Sequence, residues 1–347
     1  MASLLERGQN PVIVDQQAAV YNGFQMCMEA VLTSGCRHYF ASPSPMHSLL
    51  LNEGLTRFQS RHGICLQTQT PAEAVSMAQG VAQLGDIPFI SSNYADFLSV
   101  QHLLYHFFHR EIPCVYAIVL YEAPEFPGAC TLPYGFACLQ NAWPGSGFPF
   151  PHLMPSHLSH MQNNVQEAFA LARHLQQPVL LLLDPMLLST TQNVQSAEWN
   201  PLPFSAVEGS HHLRRAHKRH LALKGMASRW LRYWLPEQTP DYGLIAAGAL
   251  GGWLLDMDWH ENAVLVLDSL YPGVLQLPEE CPEDMPLYVI EFDPGCLYEQ
   301  LQQHYPHYLL HPIKIPWERS APVRLQNTIH AELMAAQERS LHPRSTP

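Results

Sequence analysis

Glu73 stands at the start of a helix-like stretch, Thr70-Pro71-Ala72-Glu73, where a carboxylate could serve as a general acid or base. The same four residues also match a capping box. Thr70 accepts at the N-cap, Pro71 suits the first helical position, and Glu73 reaches back to the N-cap amide. Capping alone accounts for this acid, so a structural and a catalytic role stand side by side. A second group lies in the turn Ala41-Ser42-Pro43-Ser44-Pro45-Met46-His47-Ser48, between a strand end and a helix start. Open α/β sheets bind ligands at the carboxyl ends of their strands, and helix N-termini favour anions. Ser42, Ser44 and His47 could therefore grip an anionic group, and an ordinary Pro-rich turn explains them equally well.

Histidines supply two further sets. His102, His106 and His109 fall at i, i+4 and i+7, on one helical face, and His152, His157 and His160 form a second set. Three imidazoles could bind zinc or another transition metal. The chain has 20 histidines and no acid completes the helical trio, so packing or interface roles compete and no metal site is assigned. The basic run Arg214, Arg215, Lys218 and Arg219 could receive a phosphate-bearing ligand or an acidic surface, or form the solvated face of a helix. Eight cysteines contain no CxxC pair, which leaves no zinc knuckle and no iron-sulfur cluster in this chain. There is no GxGxxG after a strand, no GxxxxGK[ST] and no GxSxG, and Gly85-Asp86 runs straight into Ile-Pro-Phe. None of these signatures would hold a diphosphate.

Apolar runs that alternate with helical stretches position these groups. Strands are expected at Arg37–Ala41, Ile64–Gln67, Pro88–Ser92, Cys114–Tyr121 and Pro178–Asp184, with helices at Ala18–Thr33, Met46–Gln59, Pro71–Leu84, Phe97–Phe108 and His157–Leu175. Continuous apolar strands between helices imply a parallel sheet covered on both faces. Residues 191–240 form a basic connector whose helix is expected to run through Tyr233. Strands at Tyr242–Gly248, Ala263–Ser269, Leu287–Phe292 and Leu309–Ile315, with helices at Ala249–Met257 and Cys296–His304, predict a smaller α/β domain. The expected division is 1–190, 191–240, 241–320 and a C-terminal helix and tail, 321–347. The loop Glu122–Pro151 is longer than most connections and is expected near the active centre or a partner.

Composition narrows the class. Hydrophobic residues make up 47% and charged residues 14%, against a usual charged share of about 25%, which implies extensive burial against another chain. A net charge of -12 argues against a nucleic-acid partner. Thiols in apolar contexts, no basic leader and no 18-residue apolar run point to a cytoplasmic protein without a membrane span.

From Gly23 to Leu188 the chain resembles the pyrimidine-binding domain of the 2-oxoacid:ferredoxin oxidoreductases, which are thiamine-diphosphate enzymes. NGFQMCMEAVLTSGCRHYFASPSP is similar to that family's opening helix, strand and Pro-Ser/Thr-Pro substrate turn, and AEAVSMAQGVAQLGDIPFISSN to its cofactor-facing helix and next strand. AVEGSHHLRRAHKRHLALKG, YGLIAAGALGGWLLD, LDSLYPGVLQLPEE and YVIEFDPGCLYEQL resemble the connector and transketolase C-terminal-like domain of indolepyruvate oxidoreductase alpha subunits. The resemblance implies two doubly wound α/β domains. It also implies thiamine diphosphate with magnesium, held only at an interface with a partner that carries the diphosphate domain, in a homodimeric or heteromeric assembly. The substrate would be a 2-oxo acid, with an aromatic one favoured by the connector, met by Ser42, Ser44 and His47. Pro71, Asn93 and Tyr94 would face the cofactor.

The departures fall on those cofactor positions. The family's activating glutamate lies nine residues before the helix glycine, here Gly80, and that place holds Pro71. Glu73, two residues on, is about 200° further around the helix. The family's glycines after the third strand are replaced by Asn93-Tyr94-Ala95-Asp96. Two functions follow from the sequence: a subunit of a heteromeric 2-oxoacid oxidoreductase or decarboxylase-like complex, or a pseudo-enzyme that keeps the fold for assembly or regulation.

Overall fold

Asn22 decides where the chain first becomes helical. Its side chain accepts from the Gln25 N–H at 2.9 Å, and the Gln25 side chain accepts from the Asn22 N–H at 3.3 Å, a reciprocal cap. The expected helix from Ala18 therefore begins only at Gly23 (α1, Gly23–Thr33), and Ala19–Asn22 before it is a strand, β1. The computed structural model describes residues 19–42, 45–120, 150–194, 212–257, 259, 262–271, 281–282, 284–293, 297–316 and 322–341. Ser44 and all but the last two residues of the long Glu122–Pro151 loop lie outside them.

The alternation then runs as the hydrophobic pattern predicts. It comprises β2 (His38–Ala41), α2 (Pro45–Ser60), β3 (Ile64–Gln67), α3 (Pro71–Gln83), β4 (Phe89–Asn93), α4 (Tyr94–His109) and β5 (Cys114–Val119). After the loop come β6 (His152–Leu153), α5 (Leu158–Leu175), β7 (Pro178–Leu183), α6 (Pro185–Ser189) and β8 (Thr191–Val194). β1 and β8 pair antiparallel as a separate ribbon, so the connector opens as a strand rather than as an irregular linker. The main sheet has the order β12-β6-β7-β5-β4-β2-β3, where β12 is Ser269–Tyr271, with β2 to β7 all parallel. Alternate strand residues feed two layers. Tyr39, Phe89, Val115 and Leu181 pack under α1, α2 and α5, whereas Phe40, Ile90, Tyr116 and Leu182 pack under α3 and α4.

The connector helix α7 (His212–Lys224) stops well short of Tyr233. A 3₁₀ turn (Ala227–Trp230) follows, and Leu231–Trp234 is a strand, β9, antiparallel to β11. Arg215 and Arg219 of α7 donate to the Glu111 carboxylate at 2.8 to 3.1 Å, which gives part of the basic run a partner within the chain. The second sheet, β14-β13-β10-β11-β9, is built from β10 (Gly243–Ala247), β11 (Ala263–Leu267), β13 (Leu287–Asp293) and β14 (Leu310–Pro316), all parallel, plus β9. Helices α8 (Gly248–Asp256) and α10 (Pro322–Leu341) cover one face, and α9 (Leu297–His304) covers the other. The molecule is thus an α/β protein with two doubly wound sheets.

Three contacts join the sheets. Strand β12 (Ser269–Tyr271) leaves the second sheet and adds antiparallel to β6, pairing Ser269 with Leu153 and Tyr271 with His152. Just before it, buried Asp268 accepts from Arg232 and offers its carbonyl to the Met154 N–H at 2.7 Å. Finally, α8 lies so close to the segment after β6 that a Cβ on Gly252 would sit 1.9 Å from the Ser156 carbonyl oxygen. A backbone atom cannot yield as a side chain can. Gly252→Ala should therefore lower the unfolding free energy by about 2 kcal/mol or more. Gly80→Ala in α3, where a Cβ meets nothing within 4 Å, should raise it by roughly 0.5–1 kcal/mol by removing helix-interior glycine. Urea midpoints of the two variants check both signs.

Candidate active site

The crossover direction reverses between neighbours β2 and β4: β2 leads through α2 to β3 on one side, and β4 leads through α4 to β5 on the other. Such a switch point opens a crevice outside the carboxyl ends of the two strands. Ala41 pairs with Ser91 there, and the chain leaves the sheet at Ser42 and Asn93. Two of the three substrate candidates, Ser42 and His47, lie at this edge with Tyr39, Ser91, Ser92 and Asp96. The third, Ser44, is outside the described residues.

His47 is engaged at one ring nitrogen, Nε2, while its Nδ1 is buried without a hydrogen-bond partner among the described residues. It is fully buried, and its Nε2 lies 2.5 Å from Ser91 Oγ, which lies 2.6 Å from the Tyr39 hydroxyl. If Tyr39 donates to Ser91 and Ser91 donates to His47, both hydroxyl protons are satisfied. Burial holds the imidazole down at about 4, against a smaller opposing pull from the Ser42 backbone. The ring is neutral at pH 7 and forms a floor beneath the turn. Ser42 itself is buried, and its hydroxyl closes no hydrogen bond among the described residues.

At the two positions expected to face the cofactor, the side chains have roles in the fold. The Asn93 side chain caps α4 by accepting from the Asp96 N–H at 2.7 Å, and Tyr94 packs in the layer under α3 and α4. Ser92 Oγ lies 2.9 Å from the Tyr116 hydroxyl. Sequence reasoning missed Ser91 and Asp96. The legible signal was Asn93-x-x-Asp96 directly after an apolar strand, a cap pattern at a strand's carboxyl end.

Pro71 and Glu73 lie on the same edge beyond β2, after β3. Pro71 is half-buried at the first turn of α3, and Glu73 is exposed. The cap is real but shifted. Thr70 Oγ1 accepts from the Glu73 N–H at 3.3 Å, while the Glu73 carboxylate accepts from the Gln69 N–H at 2.9 Å, one residue before the expected N-cap amide. Against the thiamine diphosphate that the resemblance implies, α3 does not fit: proline offers no proton acceptor, and Glu73 is bonded back onto its own chain. The crevice between β2 and β4 does offer a buried, unsatisfied hydroxyl and a half-buried carboxyl, Ser42 and Asp96.

The histidine sets separate. His102, His106 and His109 share the exposed face of α4, with the His109 ring 4.2 Å edge-on from Tyr105. His152 sits on β6, His157 caps α5 and His160 follows it, the last two rings 5.9 Å apart. Among the described residues no group of three His, Cys, Asp or Glu is placed to hold a metal ion.

Removing Ser91 leaves both Tyr39 and His47 without a partner in the core, so Ser91→Ala should cost about 1–3 kcal/mol. The His47 pKa is lower in the folded chain than its ordinary 6.5, so this group's contribution is full above pH 6.5 and is lost as pH falls towards about 4. His47→Gln should therefore flatten the decline in stability between those two values, which denaturant midpoints along a pH series would read.

No family model matches the chain, and no curated protein matches its sequence. Its fold is nevertheless shared. A 2-oxoglutarate:ferredoxin oxidoreductase from Magnetococcus marinus, solved with 2-oxoglutarate, coenzyme A and succinyl-CoA bound, superposes with a TM-score of 0.72 at 14% identity, over 91% of this chain and 65% of that one. The inactive beta4 tetramer of a split gene transketolase gives 0.52 at 13% identity, over 91% of this chain and 98% of that one. Transketolase from Leishmania mexicana gives 0.57 at 13% identity, over 94% and 46%. The chain spans less than two thirds of the oxidoreductase chain and has the two-domain α/β fold that these structures share.

Proposed function

We propose that this chain is the pyrimidine-side subunit of a heteromeric, thiamine-diphosphate-dependent 2-oxoacid oxidoreductase or decarboxylase-like complex, in which a partner chain supplies the diphosphate domain and the magnesium site. In this reading residues 1–190 form the pyrimidine-binding-like domain, 191–240 the connector, 241–320 the transketolase C-terminal-like domain and 321–347 the C-terminal helix and tail. The cytoplasm is its compartment; among the described residues no helix is long and apolar enough to cross a membrane.

The observation that carries the proposal is the set of exposed apolar side chains on the open edge strand and the helix that follows it. Edge strand β3 exposes Ile64 and Leu66, and α3 exposes Met77 and, just past its end, Leu84, which is 89% exposed. An unpaired edge strand with exposed apolar side chains is costly in water and is the kind of surface that another chain covers. The coextensive likeness to one subunit type of a split enzyme supports the same arrangement. The cofactor would supply an electron sink for cleaving the bond beside a 2-oxo group. This chain's own residues would shape the crevice: Tyr39, Ser91 and neutral His47 hold its floor, and Ser44 would meet the substrate.

A second reading rests on Pro71. With no proton acceptor at that place and Glu73 tied to Gln69, the chain could keep only the interface, as an assembly or regulatory subunit. Thiamine diphosphate titration of the assembled complex, with the partner's other sites counted, separates the two. The first reading expects one further equivalent per copy of this chain; its absence leaves the regulatory reading. Glu73→Gln should leave turnover within about twofold, since the glutamine oxygen still accepts the Gln69 N–H. Abolished turnover would instead make Glu73 catalytic.

A further inference from the structure

The second sheet guards one of its borders and leaves the other open. Border strand β14 carries Pro312 and Pro316, which have no N–H to offer, and Lys314, and all three discourage a further strand. At the opposite border β9 reads Leu-Arg-Tyr-Trp, with neither proline nor lysine. Its Tyr233 is 54% and its Trp234 42% exposed. The pairing to β11 fixes which backbone groups of β9 are spare. Trp230 accepts from the Asp268 N–H at 2.8 Å, so these two residues face each other as a hydrogen-bonded pair of the antiparallel ladder. Such pairs recur at every second residue. Arg232 and Trp234 therefore bond inward to β11, while Leu231, Tyr233 and Leu235 turn their backbone groups outward. The Leu231 N–H is taken by the Ser228 carbonyl at the end of the 3₁₀ turn. The Leu231 carbonyl, the N–H and carbonyl of Tyr233 and the Leu235 N–H are left for a strand from outside.

The side chains around this edge are arranged symmetrically about Tyr233. Leu231 and Leu235, two residues to either side, both pack against the layer under α9, on the face where Tyr233 lies opposite Leu265. Exposed Arg229, which is held by Glu167, stands four residues before Tyr233, and exposed Glu237 stands four residues after it. An edge with leucines at equal distances and opposite charges beyond them complements itself when turned about a twofold axis. On an axis at Tyr233, that residue exchanges both backbone bonds with its own copy, and the Leu235 N–H donates to the Leu231 carbonyl of the other chain. Leu231 then packs on Leu235, and Arg229 comes opposite Glu237. We propose that β9 is a self-association edge, through which two copies of this chain pair antiparallel about a twofold axis at Tyr233 and join their second sheets into one. The interface lies on a different sheet from the β3 edge that the proposed function gives to another protein, and it does not rest on that function.

Sedimentation velocity of the full chain alone, over a concentration series, should show a monomer in equilibrium with a dimer. Tyr233→Pro removes an N–H that faces away from β11, and Tyr233→Glu sets like charges face to face on the axis while keeping every backbone group. Each should raise the dimer dissociation constant by about tenfold or more, with near-UV circular dichroism confirming the fold. Leu66→Lys, on the β3 edge of the other sheet, should leave it unchanged. The register is read by oxidation, because hydrogen-bonded partners in an antiparallel ladder place their Cα atoms about 5.5 Å apart, within reach of a disulfide. Tyr233→Cys should cross-link to its own copy, whereas Leu231→Cys should cross-link only to a chain carrying Leu235→Cys. If a Tyr233 variant fails to fold, these cross-links decide alone. A chain that stays monomeric at every concentration, a dimer that tolerates both folded Tyr233 variants, or one that Leu66→Lys dissolves would overturn the proposal. So would a dimer in which Tyr233→Cys forms no cross-link. A dimer with the expected cross-links that recruits no diphosphate-domain chain upholds this interface and removes only the proposed function.

Discussion

The two sheets are held together where helix α8 lies against the segment after β6, with only the missing side chain of Gly252 between it and the Ser156 carbonyl. Near it, the buried Asp268–Arg232 pair ties β9 to the turn entering β12. Burial raises the Asp268 carboxyl and Arg232 opposes that shift, so the pair is held by mutual compensation in a dry place rather than by surplus charge. Each contact constrains the other.

That junction and the candidate site sit on the same sheet and impose opposite demands. At the junction β12 covers the edge of β6 and the Asp268 carboxylate is paired with Arg232. At the switch point between β2 and β4, polar groups are brought under cover and left unsatisfied, as Ser42 is. A buried hydroxyl without a partner costs stability, and a scaffold tolerates it where something else completes the bond. The Tyr39–Ser91–His47 chain makes this tolerable by fixing the floor, so the unmet capacity is confined to one face.

Much of this was legible in the residues. Strand β3 has the expected bounds, and most of the other predicted strands and helices lie within a few residues of theirs, because continuous apolar runs and capped helical stretches carry strong local signals. The misses have physical causes. Ala19–Asn22 continues the apolar spacing of α1, and only the Asn22 cap marks the boundary. Leu231–Trp234 reads as the tail of a basic helix and becomes a strand through pairing to β11, a long-range contact with no local mark. Two-residue β6 is too short to show a period. In the site, the capping role of Glu73 was visible, but its bond to Gln69 rather than Thr70 depends on the entry angle of the chain. Asp96 carries no separate mark in the sequence, since Asn93-x-x-Asp96 reads fully as a helix cap.

Strand β12 has a consequence for how the chain is made. Leu153 is synthesised long before Ser269, its partner across the sheet. At about 5–20 residues per second on the ribosome, the β6 edge stays open for on the order of ten seconds, while the strands behind it already have their neighbours. During that interval the larger sheet has two open edges, β3 and β6. Translation of the second half covers the β6 edge with β12, which becomes the border of the sheet opposite β3. Order of synthesis thereby makes one border of the larger sheet a product of the second half of the chain.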